Sequence, residues 1–292
     1  MYNLWPYQYP FLPEMMNFWA FVVFVLGACI GSFLNVCIWR IPRDESIFSP
    51  PSRCPACGHW IRCYENIPLL SWIFLRGKCS QCGVRISFRY FFVELLTGVL
   101  FLLVWLKIIF EQQPLVLAVI YFAVTMLVVT TIFIDIEHRI IPDETTYPVM
   151  LTGLVIPLIF PEVWGRHSRL DAFLFSFAGF FVALIFSLAF SLIGKRIFRR
   201  EALGLGDVKF LAAIGACFGL PGFIFILFIG SLLGSVGGII KSLIRKKKLR
   251  RLTIPFGPYL AFAAYLWMLY GQSLAKWYLE FIHHAANLLK NV

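Results

Sequence analysis

Apolar runs long enough to cross a bilayer recur along this chain, separated by short polar stretches and one long one. A spanning helix needs about 20 largely apolar residues. Eight segments approach that pattern, at roughly 16–39, 91–110, 115–134, 146–160, 172–194, 208–221, 222–243 and 256–272. The fourth and sixth are short. The sixth and seventh form one continuous apolar stretch, and Leu220-Pro221-Gly222 divides it, because a Pro-Gly pair is a turn signal and a poor helix interior. A single kinked span is the alternative there. The pattern predicts an all-α polytopic membrane protein with about eight transmembrane helices. No internal repeat or low-complexity tract is visible.

Composition points the same way. The chain has 292 residues, of which 60% are hydrophobic and only 14% charged, whereas a soluble domain is nearer half apolar. The first fourteen residues hold no Lys or Arg, so a signal-peptide n-region is missing and the first apolar run is expected to stay as a helix. The net charge of +11 raises the question of nucleic acid. The distribution argues against it, since 21 of the 26 basic residues fall in four regions between apolar runs. These are the stretch 40–90, Arg139, the group Lys195, Arg196, Arg199, Arg200 and Lys209, and the cluster from Lys241 to Arg251. With the N-terminus outside, all four are cytoplasmic, as the positive-inside rule requires, and they face anionic membrane lipid. Both termini are then on the outer side of the membrane. A single kinked span at 208–243 would put the cluster from Arg245 to Arg251 outside, against that rule.

Four parts follow: 1–39 as an N-terminal segment with helix one, 40–90 as a cytoplasmic loop domain, 91–272 as the main transmembrane domain, and 273–292 as a C-terminal interfacial segment. A 50-residue loop with few aliphatic residues buries little core. It contains Cys54-Pro55-Ala56-Cys57-Gly58 and Cys79-Ser80-Gln81-Cys82-Gly83. Two thiolates spaced by two residues bind one ion through a tight turn, and the following Gly permits the turn's dihedrals. Cys54, Cys57, Cys79 and Cys82 are therefore candidate ligands of a structural zinc, which would supply folding energy. Disulfides are the alternative, disfavoured in a reducing compartment. A redox role lacks its βαβ context. Cys63 has no assignment.

Ionisable groups at membrane depth are functional candidates. Asp135 ends the run Val128-Val129-Thr130-Thr131-Ile132-Phe133-Ile134, and Asp207 lies in Gly204-Leu205-Gly206-Asp207-Val208-Lys209. The topology, derived without them, puts both at the cytoplasmic face. Paired carboxylates suit peptide hydrolysis, one taking a proton from water while the other, protonated, polarises the scissile carbonyl. The glycines at Gly204 and Gly206 allow close approach to Asp207. Each aspartate also has a plain structural role open to it: Asp207 as a helix N-cap, Asp135 as a partner of Arg139 four residues on. Asp143, after Pro142, suits an N-cap better than catalysis. His138 and Lys209 lie near enough in sequence to tune the pair, although solvated charges are the plainer account of both.

Together these segments resemble the bacterial prepilin peptidases, or type IV leader peptidases. The resemblance rests on Gly31-Ser32-Phe33-Leu34-Asn35-Val36, the two CxxC motifs, Asn66-Ile67-Pro68-Leu69-Leu70-Ser71-Trp72, Leu75-Arg76-Gly77-Lys78-Cys79, Ile134-Asp135 with Pro142-Asp143, and the GxGD stretch ending in Lys209. It implies that Asp135 and Asp207 are the catalytic pair. It implies prepilin and pseudopilin substrates, cut after a Gly on the cytoplasmic side. It also implies a second activity, N-methylation of the new terminal residue, commonly Phe, from S-adenosylmethionine. Phe91 stands where the family usually has Pro. No GxGxxG-type fingerprint marks a donor site. Two other readings compete: another GxGD intramembrane protease, and a non-enzymatic transporter or assembly scaffold with a zinc-stabilised loop.

Overall fold

The computed structural model describes residues 12–198, 203–245 and 254–290. Helix α1 is Leu12–Arg40, the short α2 is Leu70–Phe74, and α3 is Phe88–Phe110. Then come α4 (Leu117–His138), α5 (Asp143–Ile159), α6 (Arg169–Phe198), α7 (Leu205–Arg245) and α8 (Gly257–Lys290). No strand occurs among the described residues. Five of these helices are long and apolar enough to cross a membrane: α1, α3, α4, α6 and α7. The basic residues Arg199, Arg200 and those from Lys246 to Arg251 lie outside the described residues.

Helix α7 is broken at Gly219, which adopts φ 65° and ψ −169°. The predicted break at Leu220-Pro221-Gly222 therefore falls slightly earlier. Glycine is the residue that tolerates a positive φ, and Pro221 then lies in the first turn of the second arm, where its missing N–H costs no helical bond. The chain reverses there. In the first arm Gly206 approaches Ile141 and Cys217 approaches Gly153, so it runs alongside α5. In the second arm Gly222 meets Trp267, Gly230 meets Leu260 and Gly234 meets Phe256. Rising numbers in one helix thus meet falling numbers in α8, and that arm runs back toward the start of α8. With α7 counted as two arms, and with the 17-residue α5 and α8 added to the five, the long helical segments among the described residues number eight, the short α2 apart.

Close packing depends on small residues, since lipid tails offer no hydrophobic drive between helices. Gly27 and Gly31 of α1 lie against Gly98 and Glu94 of α3, while Gly179 and Ala183 of α6 lie against Gly215 of α7. The buried Thr97, Thr125 and Thr130 satisfy their hydroxyls within their own helices, as Thr125 does on the Tyr121 carbonyl at 2.7 Å. The main core includes Val124, Leu127, Phe210, Ile214 and Leu260, all fully buried between α4, α7 and α8.

Boundaries moved where local chemistry overrides hydropathy. Helix α3 starts at Phe88 because Ser87 caps it, accepting from the Arg89 N–H at 3.3 Å, a preferred capping arrangement. Helix α8 runs on to Lys290 rather than stopping near 272, since mixed polar content lowers hydropathy without breaking a helix.

Candidate functional site

One end of the bundle collects the end of α4 and the starts of α3, α5, α7 and α8. Asp135 stands one turn before the end of α4 and is 6% exposed. A carboxylate near a helix C-terminus faces the negative end of the dipole. Here the backbone N–H of Gly257, at the start of α8, donates to its Oδ2 at 2.8 Å. The α8 N-terminus thus offsets the unfavourable field of α4. A side chain at Gly257 would be in collision, because a Cβ there would lie 2.8 Å from Asp135 Oδ2 and 2.9 Å from Thr131 Cγ2. Arg139 is an electrostatic neighbour of Asp135. Among the described residues, however, Asp135 forms no ion pair. Arg139 instead closes α4 in the left-handed conformation, its N–H donating to the Asp135 carbonyl at 3.1 Å.

Asp207 is the third residue of α7. It is not the N-cap. Its carboxylate reaches back to the N–H of Gly204 at 3.2 Å, the acidic half of a capping box. Gly206 lets the α4–α5 connection come close, a Cβ there lying 3.1 Å from Ile141 Cβ. Asp135 and Asp207 interact electrostatically, although they are far apart in sequence. Asp143 is likewise not a cap. It is the first residue of α5, after Pro142, and both its carboxylate oxygens accept from Lys209 Nζ, at 2.8 and 2.7 Å. That pair ties α5 to the start of α7 and removes Lys209 from direct contact with Asp207. The Lys209 ammonium also lies 5.4 Å above the Tyr147 ring. His138 is near Glu137 at 3.8 Å.

Sequence reasoning missed Gly257, whose link to Asp135 spans 122 residues. It missed Thr131 as well. This residue lies one helical turn before Asp135, fully buried, and its Oγ1 has no protein partner among the described residues.

The loop domain forms two matching turns. In the first, the Cys54 N–H donates to the His59 carbonyl and the Gly58 N–H to the Cys54 carbonyl, both at 2.9 Å. In the second, the Cys79 N–H donates to the Val84 carbonyl at 2.9 Å and the Gly83 N–H to the Cys79 carbonyl at 3.0 Å. Gly58 and Gly83 take φ values of 72° and 70°, which explains the glycine after each CxxC. The four sulfurs lie within 4.8 Å of one another, with Cys54 to Cys82 at 3.8 Å and Cys57 to Cys79 at 4.0 Å. A tetrahedron with bonds of about 2.3 Å has edges of about 3.8 Å, so the group could hold a metal ion. The N–H groups of Cys57 and Ala56 pull the Cys54 thiol down to about 7. Those of Cys82 and Gln81 lower Cys79 in the same way. Cys63 is exposed and lies outside this group.

Glu65 joins the two turns. Its carboxyl is held down to about 2 by the Ser80 hydroxyl, the Arg62 N–H and His59. The domain docks through Trp72, whose ring packs 5.6 Å from Phe88 and 5.2 Å from Phe91. The departure at Phe91 thus supplies an aromatic contact.

The fold and site define an all-helical, multi-pass membrane protein with two interacting carboxylates at one bundle end and a tetracysteine loop domain docked on that same end. Residues 25–108 match the bacterial peptidase A24 N-terminal domain, and residues 121–239 match the type IV leader peptidase family. This chain belongs to the type IV leader peptidase family, and with its several apolar helices it is a multi-pass protein of the inner membrane. It is 36% identical over 282 residues to the prepilin leader peptidase/N-methyltransferase of Aeromonas hydrophila, covering 88% of this chain and 93% of that protein. The similarity to the protein of that name from Myxococcus xanthus (strain DK1622) is 43% over 223 residues, covering 76% of this chain and 62% of the relative. The type 4 prepilin-like proteins leader peptide-processing enzyme of Escherichia coli O78:H11 (strain H10407 / ETEC) is 36% identical over 259 residues, covering 80% of this chain and 88% of that protein. No solved structure matches the chain.

Proposed function

We propose that the protein is a membrane aspartyl endopeptidase that removes the leader from type IV prepilins and pseudopilins, with Asp135 and Asp207 as its catalytic pair. The observation that carries this reading is their pairing. Two carboxylates from distant helices interact at one bundle end, each held by a backbone N–H at a helix start. Held close, they operate with one proton between them. The ionised member takes a proton from the attacking water, and the protonated member donates to the scissile carbonyl. Gly204, Gly206 and the Asp143–Lys209 pair support this geometry by positioning the start of α7.

The active end and the loop domain face the cytoplasm in this reading, with both chain termini periplasmic, because the basic residues concentrate there. Zinc is the metal proposed for Cys54, Cys57, Cys79 and Cys82. A four-sulfur set with CxxC spacing selects it. It would organise the loop rather than take part in cleavage. The names of the relatives extend the reading to N-methylation of the new terminus with S-adenosylmethionine as donor.

The test is N-terminal analysis of a co-expressed prepilin with wild-type, Asp135→Asn and Asp207→Asn protein. Both variants should insert in the membrane and leave the leader attached. Processed pilin from either one removes that residue from the mechanism.

A further inference from the structure

A second buried carboxylate stands apart from the pair. Glu94, on α3, is 8% exposed. The Leu69 N–H donates to its Oε2 at 2.8 Å, and the hydroxyl of Ser32 on α1 is a further polar neighbour. Both neighbours are uncharged. Among the described residues no cation pairs with Glu94. The cation nearest to it along α3, Arg89, is turned away, with its Nη1 on Glu137 at 2.6 Å. An unpaired carboxylate buried in this way is costly.

Asn35 faces the same helix and is 2% exposed. Its Nδ2 donates to the Tyr90 carbonyl at 3.0 Å, and Tyr90 is one turn before Glu94 on the same face. The Asn35 Oδ1 is buried without a protein partner. Ser32 and Asn35 share one face of α1 in the same manner. An unsatisfied acceptor and a carboxyl group without a cationic partner therefore meet one α1–α3 seam. Leu69, which closes that seam from the loop, is held at a φ of 63°, an uncommon conformation for a residue with a side chain.

The seam lies toward the end of the bundle that holds the aspartates. The Arg89–Glu137 pair links the start of α3 to the end of α4. Glu94 is about 7.5 Å further along α3 from that link, and Asp135 about 3 Å along α4. Both carboxylates thus lie at comparable depth. Cleavage of a leader creates a primary ammonium at that depth, a compact cation with three N–H donors.

We propose that Glu94 and Asn35 form a seat for the ammonium group of the cut substrate's new N-terminus, Glu94 supplying the charge and Asn35 Oδ1 a further acceptor. The inference rests on the cleavage reading above. Methyl transfer needs the lone pair of the neutral amine, so Glu94 would take one ammonium proton before the nitrogen displaces the methyl group from the donor sulfonium, which leaves as a thioether.

The test is equilibrium binding to the full-length, detergent-solubilised protein. The probes are a synthetic peptide of a processed type IV pilin's first segment, with its terminal amine free or acetylated. Wild-type protein should prefer the free amine by roughly tenfold to a hundredfold, the range expected for hydrogen bonds to a charged group. Glu94→Gln keeps an acceptor for the Leu69 N–H but loses the charge. It should bind the acetylated peptide as wild type does, which also reports on its fold, and lose the preference. Glu94→Asp, which keeps the charge on a shorter arm, should retain part of it. Equal binding of both peptides by wild type overturns the proposal. So does a preference that survives in Glu94→Gln, or a Glu94→Gln defect confined to binding of S-adenosylmethionine. Leader cleavage by the wild-type protein, measured on the same preparation, separates this outcome from failure of the cleavage reading.

Discussion

Gly257→Ala is the sharpest single-atom perturbation the structure offers. The added methyl would lie 2.8 Å from Asp135 Oδ2, 2.9 Å from Thr131 Cγ2 and 3.2 Å from Asp135 Cγ. Ordinary contact needs several tenths of an ångström more, so the carboxylate must turn away and its 2.8 Å bond from the Gly257 N–H is lost or bent. A hydrogen bond to a charged group contributes about 1.5–3 kcal/mol. That corresponds to roughly a tenfold to hundredfold loss in cleavage rate. Gly257 has no positive φ, and alanine favours helix over glycine by about 1 kcal/mol, so the backbone itself has no reason to resist the change. The assay is cleavage of a purified prepilin in detergent with kcat and KM separated, alongside a thermal melt. The expected result is a lower kcat with KM nearly constant, in a protein that still folds. Unchanged kcat in a folded Gly257→Ala protein would falsify the role assigned to the start of α8.

Two further outcomes concern the loop domain. Cys54→Ser should lower bound zinc well below one ion per chain, measured by elemental analysis of purified protein, and a stoichiometry equal to wild type would count against the tetrathiolate site. Glu65 has its carboxyl pulled down to about 2 from an ordinary 4.5. A depressed folded-state pKa stabilises above the unfolded value and is lost as pH falls through the folded one. The difference in thermal stability between wild type and Glu65→Gln should therefore be full above about pH 4.5 and fade toward pH 2. A difference that grows on acidification would contradict the bridging role of Glu65.

Much of this architecture was legible in the sequence because hydropathy and ligand spacing are local signals. The helical segments follow from apolar runs, and the two CxxCG turns follow from spacing, down to the positive φ at Gly58 and Gly83. The bringing together of Asp135 and Asp207 followed from counting helix reversals between them. What the sequence hid was tertiary. The partner of Asp135 is a backbone N–H, which any residue carries, so Phe256-Gly257-Pro258 reads only as a helix start. Asp143 next to Pro142 reads as a cap, and its pairing with Lys209 becomes visible only when α5 and α7 lie side by side. Glu94 lies within an apolar run that predicts a helix and says nothing about which face meets α1. The break in α7 was found to within a few residues, because proline and glycine together mark a reversal without saying which glycine turns.

The central claim is that two carboxylates act as one unit, and a double-mutant comparison tests it most directly. Leader cleavage should be measured with Asp135→Asn, Asp207→Asn and the double variant, each shown to be inserted at wild-type levels. Groups that share one proton and one water are strongly non-additive. Either single variant should fall by at least about a thousandfold, to the level of the double variant. Contributions that multiply independently, or a single variant that cleaves at wild-type rate, would contradict the account.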